Sequence, residues 1–183
     1  MSALERILQG FRDNAVTERD KGTDFEQLCM VYFRNEAYYR DLYKNVWMYG
    51  DWAEQQGYSQ RDTGIDLVAE TQLGEYHAIQ CKNYAPTEKI YKKDIDSFFT
   101  ASGKADFSHR IIITTTDEWS DNALESVEGQ AVPVSIINLA DLERSQIVWE
   151  DFVAGSEDVT LRPKYDLREL YWSNRNGHFN ETQ

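Results

Sequence analysis

Three side chains at fixed spacing stand out in this 183-residue sequence. Asp66 lies in the run Gly64-Ile65-Asp66-Leu67-Val68-Ala69-Glu70, and Gln80 and Lys82 lie in His77-Ala78-Ile79-Gln80-Cys81-Lys82-Asn83-Tyr84. Both runs are β-rich, and Gln72-Leu73-Gly74-Glu75 between them reads as a turn. Strand side chains alternate, so Gln80 and Lys82 share one face while Ile79 and Cys81 point to the other. A lysine flanked by Ile, Cys and Tyr is costly to bury without a partner, and Asp66 across the hairpin is the natural candidate. Two readings are open. One is a salt bridge pinning a hairpin; the other is a centre for phosphodiester hydrolysis. In the second, Asp66 offers a carboxylate and Gln80 a neutral amide oxygen to Mg2+, which prefers oxygen ligands and keeps waters and substrate phosphate around it. Lys82 then holds or activates the attacking water and offsets charge building on the phosphate. Mn2+ is expected to substitute.

The elements that must position these groups are legible from periodicity. Residues from about Ala3 to Ala15 read as a helix, with Leu4, Ile7, Leu8 and Phe11 on one face. Thr23 with Glu26 three residues on has the capping-box pattern, and a second helix would carry Phe25, Leu28, Cys29, Tyr32 and Phe33. Glu26 is then either the acid of that cap or a water-mediated third contact to the metal. Val46 to Tyr49 reads as a first strand, followed by an irregular stretch from Gly50 to Gly64. The hairpin of Ile65–Thr71 and Tyr76–Tyr84 comes next. Pro86 and Thr87 are expected to open an amphipathic helix striped by Tyr91, Ile95, Phe98 and Phe99 and stopped by Gly103 as a C′ glycine. Strong strand signal at Arg110–Thr116, a short helix at Asn122–Glu128 and a strand at Val132–Asn138 complete the pattern. A hairpin followed by alternating helices and strands implies an α/β domain with a mixed sheet flanked by helices.

Hydrophobic residues make up 41% of the chain, which is the composition of a globular domain. Its two cysteines, Cys29 and Cys81, sit in apolar runs and read as buried thiols in a reducing compartment, not as a disulfide framework. His77 and His109 flank apolar strands as packing or hydrogen-bonding groups, and Trp47, Tyr49 and Trp52 read as core. The N-terminus lacks the pattern of a signal peptide, and no apolar run approaches the roughly 20 residues of a membrane span, so a cytoplasmic location with no membrane contact is expected. The net charge of −13 opposes a free-standing nucleic-acid binder. Between Lys82 and Arg110, however, six Lys/Arg face four Asp/Glu, a local net of +2. Asn83, Lys92, Lys93, Ser102 and Lys104 are the candidate DNA contacts there. A solvated helix face explains the lysines equally well, and a plain helix stop explains Ser102.

The pattern Asp66…Gln80-x-Lys82 resembles the PD-(D/E)XK nuclease superfamily, in the subgroup where Gln replaces the second-strand acid. More narrowly it resembles the Mrr-like domains, which carry a helix with a Glu (here Gly22-Thr23-Asp24-Phe25-Glu26-Gln27-Leu28), a Gly-Ile-Asp strand and a Gln-Cys-Lys strand. The stretch from Lys92 to Lys104 and the run Phe107–Thr116 are similar to the N-terminal nuclease domains of type ISP restriction-modification enzymes and related helicase-like proteins. The likeness covers roughly Lys21 to Glu150. It implies a restriction-endonuclease-like fold over residues 1–160, including an N-terminal helix in 1–20, and a tail or linker over 161–183. It also implies metal-dependent cleavage of double-stranded DNA, with Asp66, Gln80, Lys82 and Glu26 catalytic and Asp66, Gln80 and Glu26 as metal ligands. Enzymes of that kind continue into ATPase/helicase and methyltransferase domains, and this sequence has no GxxxxGK phosphate loop. ATP and S-adenosylmethionine are therefore expected to bind elsewhere in a larger polypeptide, and a second nuclease copy is expected for double-strand cleavage. The other readings are a nuclease-like module that binds DNA or a protein without cutting, and a nuclease of junctions, single strands or RNA.

Overall fold

The computed structural model describes residues 1–61, 64–103 and 106–163. Ser2 opens the first helix, α1 (Ala3–Asn14): its hydroxyl accepts the Glu5 N–H while the Glu5 carboxylate accepts the Ser2 N–H. Leu4, Leu8 and Phe11 form its buried face. The next helix, α2 (Glu18–Asn35), begins ahead of the expected cap at Thr23. Thr17 and Asp20 make the reciprocal box instead, and the Thr23 hydroxyl bonds back to the Arg19 carbonyl within the helix at 3.0 Å. A mid-helix glycine costs about 1 kcal/mol, so Gly22 reads as a boundary in sequence, but packing of Phe25, Leu28 and Phe33 carries the helix through it. Glu26 is thus a mid-helix residue and not a cap.

After α3 (Ala37–Leu42) the chain enters β1 (Tyr43–Met48). The stretch expected to be irregular then opens with a helix, α4 (Tyr49–Gln56), which buries Trp52 and Ala53 and ends at Gly57. Its eight residues hold too little periodicity to reveal themselves without the surface they pack on. β2 (Leu67–Thr71) and β3 (Tyr76–Lys82) form the predicted hairpin. The helix expected from Pro86 does not begin there. The Thr116 hydroxyl meets the Glu88 carbonyl at 2.7 Å and Ile90 bridges Trp119, so this segment is tied to the chain beyond the neighbouring strand. A 3-10 turn at Lys92–Asp94 leads into α5 (Asp96–Ser102). Gly103 does end α5, with φ −76° in right-handed space and not as a left-handed cap. β4 (Phe107–Thr114), α6 (Asp121–Val127), β5 (Val134–Ile137) and α7 (Leu139–Glu143) complete the order of elements.

The five strands lie in the order β1-β2-β3-β4-β5. β1, β2 and β3 are antiparallel, while β4 and β5 run parallel to β3. The sheet is mixed and covered on both faces, as expected for a restriction-endonuclease-like α/β domain. Leu67, Ile79 and Ile111 pack with Leu8, Phe25 and Phe33 on one face. Val68, Ala78 and Ile112 pack with Trp52, Ile95 and Phe98 on the other. Each fully buried large side chain contributes about 1.5–3 kcal/mol, so the hairpin is anchored from both sides. At the far end, Leu161 bridges Ile147 and the Arg162 N–H meets the Gln146 carbonyl, so the expected tail begins in contact with the domain. Residues 164–183, most of the expected tail or linker, lie outside the described residues.

Candidate active site

Asp66 sits just before β2 and is sutured on three sides. Its N–H donates to the Ile79 carbonyl at 2.9 Å, its carbonyl accepts the Tyr49 N–H at 2.9 Å, and Oδ2 accepts the Cys81 N–H at 2.7 Å. The approach to it needs glycine at position 64. The backbone there has φ +85°, and a Cβ would come within 2.6 Å of the Ser97 hydroxyl and 2.9 Å of the Phe98 nitrogen. The carbonyl of Gly64 in turn accepts the Gln80 side-chain N–H at 3.1 Å. That bond fixes the amide orientation and leaves the buried Oε1 of Gln80 with no hydrogen-bond partner among the described residues. Lys82 is the last residue of β3, and among the described residues its ammonium makes no ion pair; the expected Asp66–Lys82 bridge is replaced by the backbone contact to Cys81.

Asp66 and Lys82 open onto a cleft of about 900 Å³ lined also by Glu26, Cys81, Asn83 and others, whereas Gln80 is buried and is not one of its lining residues. α2 delivers Glu26 to the same cleft as the two strands. The electrostatics agree. Cys81 and the buried Cys29, both free thiols, are held above the usual thiol range, first by burial and then in part by the charges of Asp66 and Glu26. Both are thus protonated packing groups, as their apolar setting suggested.

Of the expected DNA contacts, only Asn83 lines the cleft. It is 5% exposed, and its Oδ1 accepts an N–H of Arg12 at 2.8 Å. Lys92 is paired with Asp96 at 2.6 Å on an exposed surface, and the Lys93 ammonium lies 5.8 Å from the Tyr91 ring. Ser102 is fully buried, does not line the cleft and spends its hydroxyl on the Phe98 carbonyl; a helix stop accounts for it. Lys104 lies outside the described residues. The cleft instead draws its cations from Arg19, Lys21 and Arg61, besides Lys82. Lys21 is paired with Glu18 at 2.6 Å, whereas Arg19 and Arg61 make no ion pair among the described residues. Sequence reasoning missed them because charge was weighed along a continuous segment, while the cleft gathers it from α2 and the loop after α4. His77 and His109 are hydrogen-bonding groups, the former to the Tyr43 hydroxyl at 2.8 Å and the latter to the Ser135 hydroxyl at 2.9 Å.

Among the described residues no cluster of three or more His, Cys, Asp or Glu gathers in metal-binding geometry. Apart from Glu18, which is engaged with Lys21, the carboxylates that line the cleft are those of Glu26 and Asp66. These oxygen donors, with the orphaned Oε1 of Gln80 two residues before Lys82 on β3, fit a hard cation such as Mg2+ better than a nitrogen- or sulfur-seeking one. Among the described residues, no helix is long and apolar enough to cross a membrane.

Residues 34–159 match the restriction endonuclease family Mrr_cat_2. That span contains Asp66, Gln80 and Lys82, and excludes α1 and Glu26. Among solved structures, the chain is similar to the ATP-dependent Type ISP restriction-modification enzyme LlaBIII bound to DNA. The two are 31% identical with a TM-score of 0.68 over 96% of this chain and 11% of that one. The chain thus spans a small part of the type ISP enzyme. The DNA modification-dependent restriction endonuclease AspBHI is similar in fold, at 14% identity and a TM-score of 0.50, covering 76% of this chain and 33% of that one. No curated protein matches the chain.

Proposed function

This chain belongs to the Mrr-like restriction endonuclease family, and on that premise we propose that it cuts double-stranded DNA by metal-dependent hydrolysis as the nuclease module of a larger restriction enzyme. The observation that carries the reading is the meeting of Asp66, Lys82 and Glu26 at one cleft, together with a buried Gln80 amide oxygen on β3 that no group among the described residues satisfies. Asp66, Gln80 and Glu26 would hold Mg2+, or Mn2+ in its place. Bound there, the metal supplies Lewis acidity toward the scissile phosphate.

The chain's own groups have separate tasks. Asp66 is positioned by backbone contacts and so presents its charge at a fixed place. Lys82 carries a cation that no carboxylate among the described residues neutralises, which suits it to orient the attacking water and to offset charge developing on the phosphate. Arg19 and Arg61 provide cations along the cleft for the DNA backbone. The overall charge of −13 fits a module whose DNA is held mainly by other domains. Helicase and methyltransferase domains, with their ATP and S-adenosylmethionine, belong in this proposal to the rest of the polypeptide, and a second nuclease copy completes a double-strand break. Incubation of supercoiled plasmid with the chain at low salt, with Mg2+ or Mn2+, tests it. Metal-dependent nicking that disappears in both Asp66→Ala and Lys82→Ala is the expected result; nicking retained by either variant would falsify the assignment of that residue.

A further inference from the structure

β3 ends at Lys82, and Asn83 and Tyr84 beyond it are held without a strand ladder. Several contacts come from Thr115: its N–H meets the Lys82 carbonyl at 3.1 Å, while its hydroxyl lies 2.8 Å from the Tyr84 nitrogen, 2.6 Å from the Tyr84 carbonyl and 3.4 Å from the Asn83 side-chain oxygen. Others come from far away in sequence. Arg12, near the end of α1, donates through Nη1 to the Asn83 side-chain oxygen at 2.8 Å and reaches the Tyr84 carbonyl at 3.4 Å. Its Nη2 is steadied by the Gln9 side-chain oxygen at 3.0 Å. Burial works against its charge and outweighs the support of Asp13 and Glu88, and among the described residues neither carboxylate forms an ion pair with it. A half-buried guanidinium whose Nη donors go to neutral oxygens, and whose Nε has no partner among the described residues, gives up an ion pair for this placement.

The contact has a directional consequence. Arginine carries donors only, so Asn83 must turn its oxygen toward Arg12 and its NH2 away. That Nδ2 is buried and has no acceptor among the described residues, while Asn83 itself lines the cleft next to Lys82. An unmet buried donor next to the proposed scissile position calls for an acceptor-rich ligand. We propose that Arg12 is a positioning residue: it fixes Asn83 with its amide N–H2 as the donor for a DNA phosphate oxygen next to Lys82. The proposal rests on the nuclease reading of the cleft and makes α1, which lies outside the matched family span, part of the substrate site.

Binding of a short duplex at low salt tests it, measured in a Lys82→Ala background so that no cleavage is needed. Arg12→Met and Asn83→Ala are each expected to weaken binding by about tenfold, the size of one missing hydrogen bond to a charged group. The double variant should be no weaker than either single one, because both remove the same donor. Arg12→Lys retains one donor toward Asn83 and should recover most of the affinity. The proposal is overturned if Arg12→Met lowers the melting temperature but binds duplex like its parent, if the losses multiply in the double variant, or if the parent itself fails to bind. A chain that passes this test but never nicks plasmid would sink the nuclease reading alone.

Discussion

The backbone N–H of Cys81 donates to Oδ2 of Asp66 at 2.7 Å, so the acid of one strand is positioned by the backbone between Gln80 and Lys82 on the next. Although Glu26 comes from α2, Asp66, Gln80 and Lys82 are thereby referred to a single peptide segment. Small shifts of the hairpin move them together and preserve their spacing, which is what a site acting on one phosphate requires.

Asp66→Asn separates this structural role from the chemical one. The amide oxygen still accepts from Cys81, so urea unfolding should show a stability within about 1 kcal/mol of wild type. Loss of the charge should lower plasmid nicking by at least about a thousandfold, since several kcal/mol of metal-assisted stabilisation depend on it.

With only two carboxylates in the proposed ligand set, the chain alone should bind Mg2+ weakly and complete the site with DNA phosphate. Calorimetry should give a shallow isotherm without DNA; a tight one would count against that ligand set. Gln80→Glu should steepen it by adding charge, and should also lower the melting temperature, because a carboxylate at that position faces the Gly64 carbonyl where an N–H now donates.

His77 is lowered to about 4 from an ordinary 6.5, by burial first and by His109 second. The unfolded chain therefore takes up this proton before the folded one. Stability is fully present above pH 6.5 and is lost as pH falls toward 4, by about 1–2 kcal/mol after allowance for partial exposure. Urea unfolding at pH 7 and pH 4.5 should show a smaller difference in His77→Gln than in wild type. An equal difference would remove His77 as the cause.

Gly64→Ala should destabilise the domain by about 2–4 kcal/mol, from left-handed strain and from the collision with Ser97 and Phe98. It should also impair nicking, because Gly64 holds the Gln80 amide. Gly57→Ala is the control. It shares a positive φ of +73° but has open space around its Cβ position, so about 1 kcal/mol is expected with nicking retained.

Arg19→Ala and Arg61→Ala should each weaken duplex binding uniformly across sequences. The slope of log affinity against log salt should become shallower by about 0.9 for each phosphate that is no longer neutralised. An unchanged slope in both variants would place the DNA path elsewhere on the surface.

Much of this protein is legible in the order of its residues. Period-two and period-3.6 patterns mark α1, the hairpin and β4, because each buries a continuous apolar face whose spacing is written in the chain. The run around Asp66, Gln80 and Lys82 announces its family because its residue types and spacing are local properties. Shorter-range contests are decided differently. Thr17 outcompetes Thr23 as the helix cap, α4 forms where Trp52 finds a surface to bury against, and the segment after Pro86 gives up helix for contacts beyond β4. None of these winners is distinguishable from its rival within a window of a few residues, since the deciding energy comes from groups distant in sequence. The cleft is the extreme case. Its cations come from α2, the end of β3 and the loop after α4, its acids from α2 and the approach to β2, and the clamp on Asn83 from α1. Chain order determined which chemistry was available, and only tertiary packing, which brings Arg12 to within 2.8 Å of Asn83, decided where it is assembled.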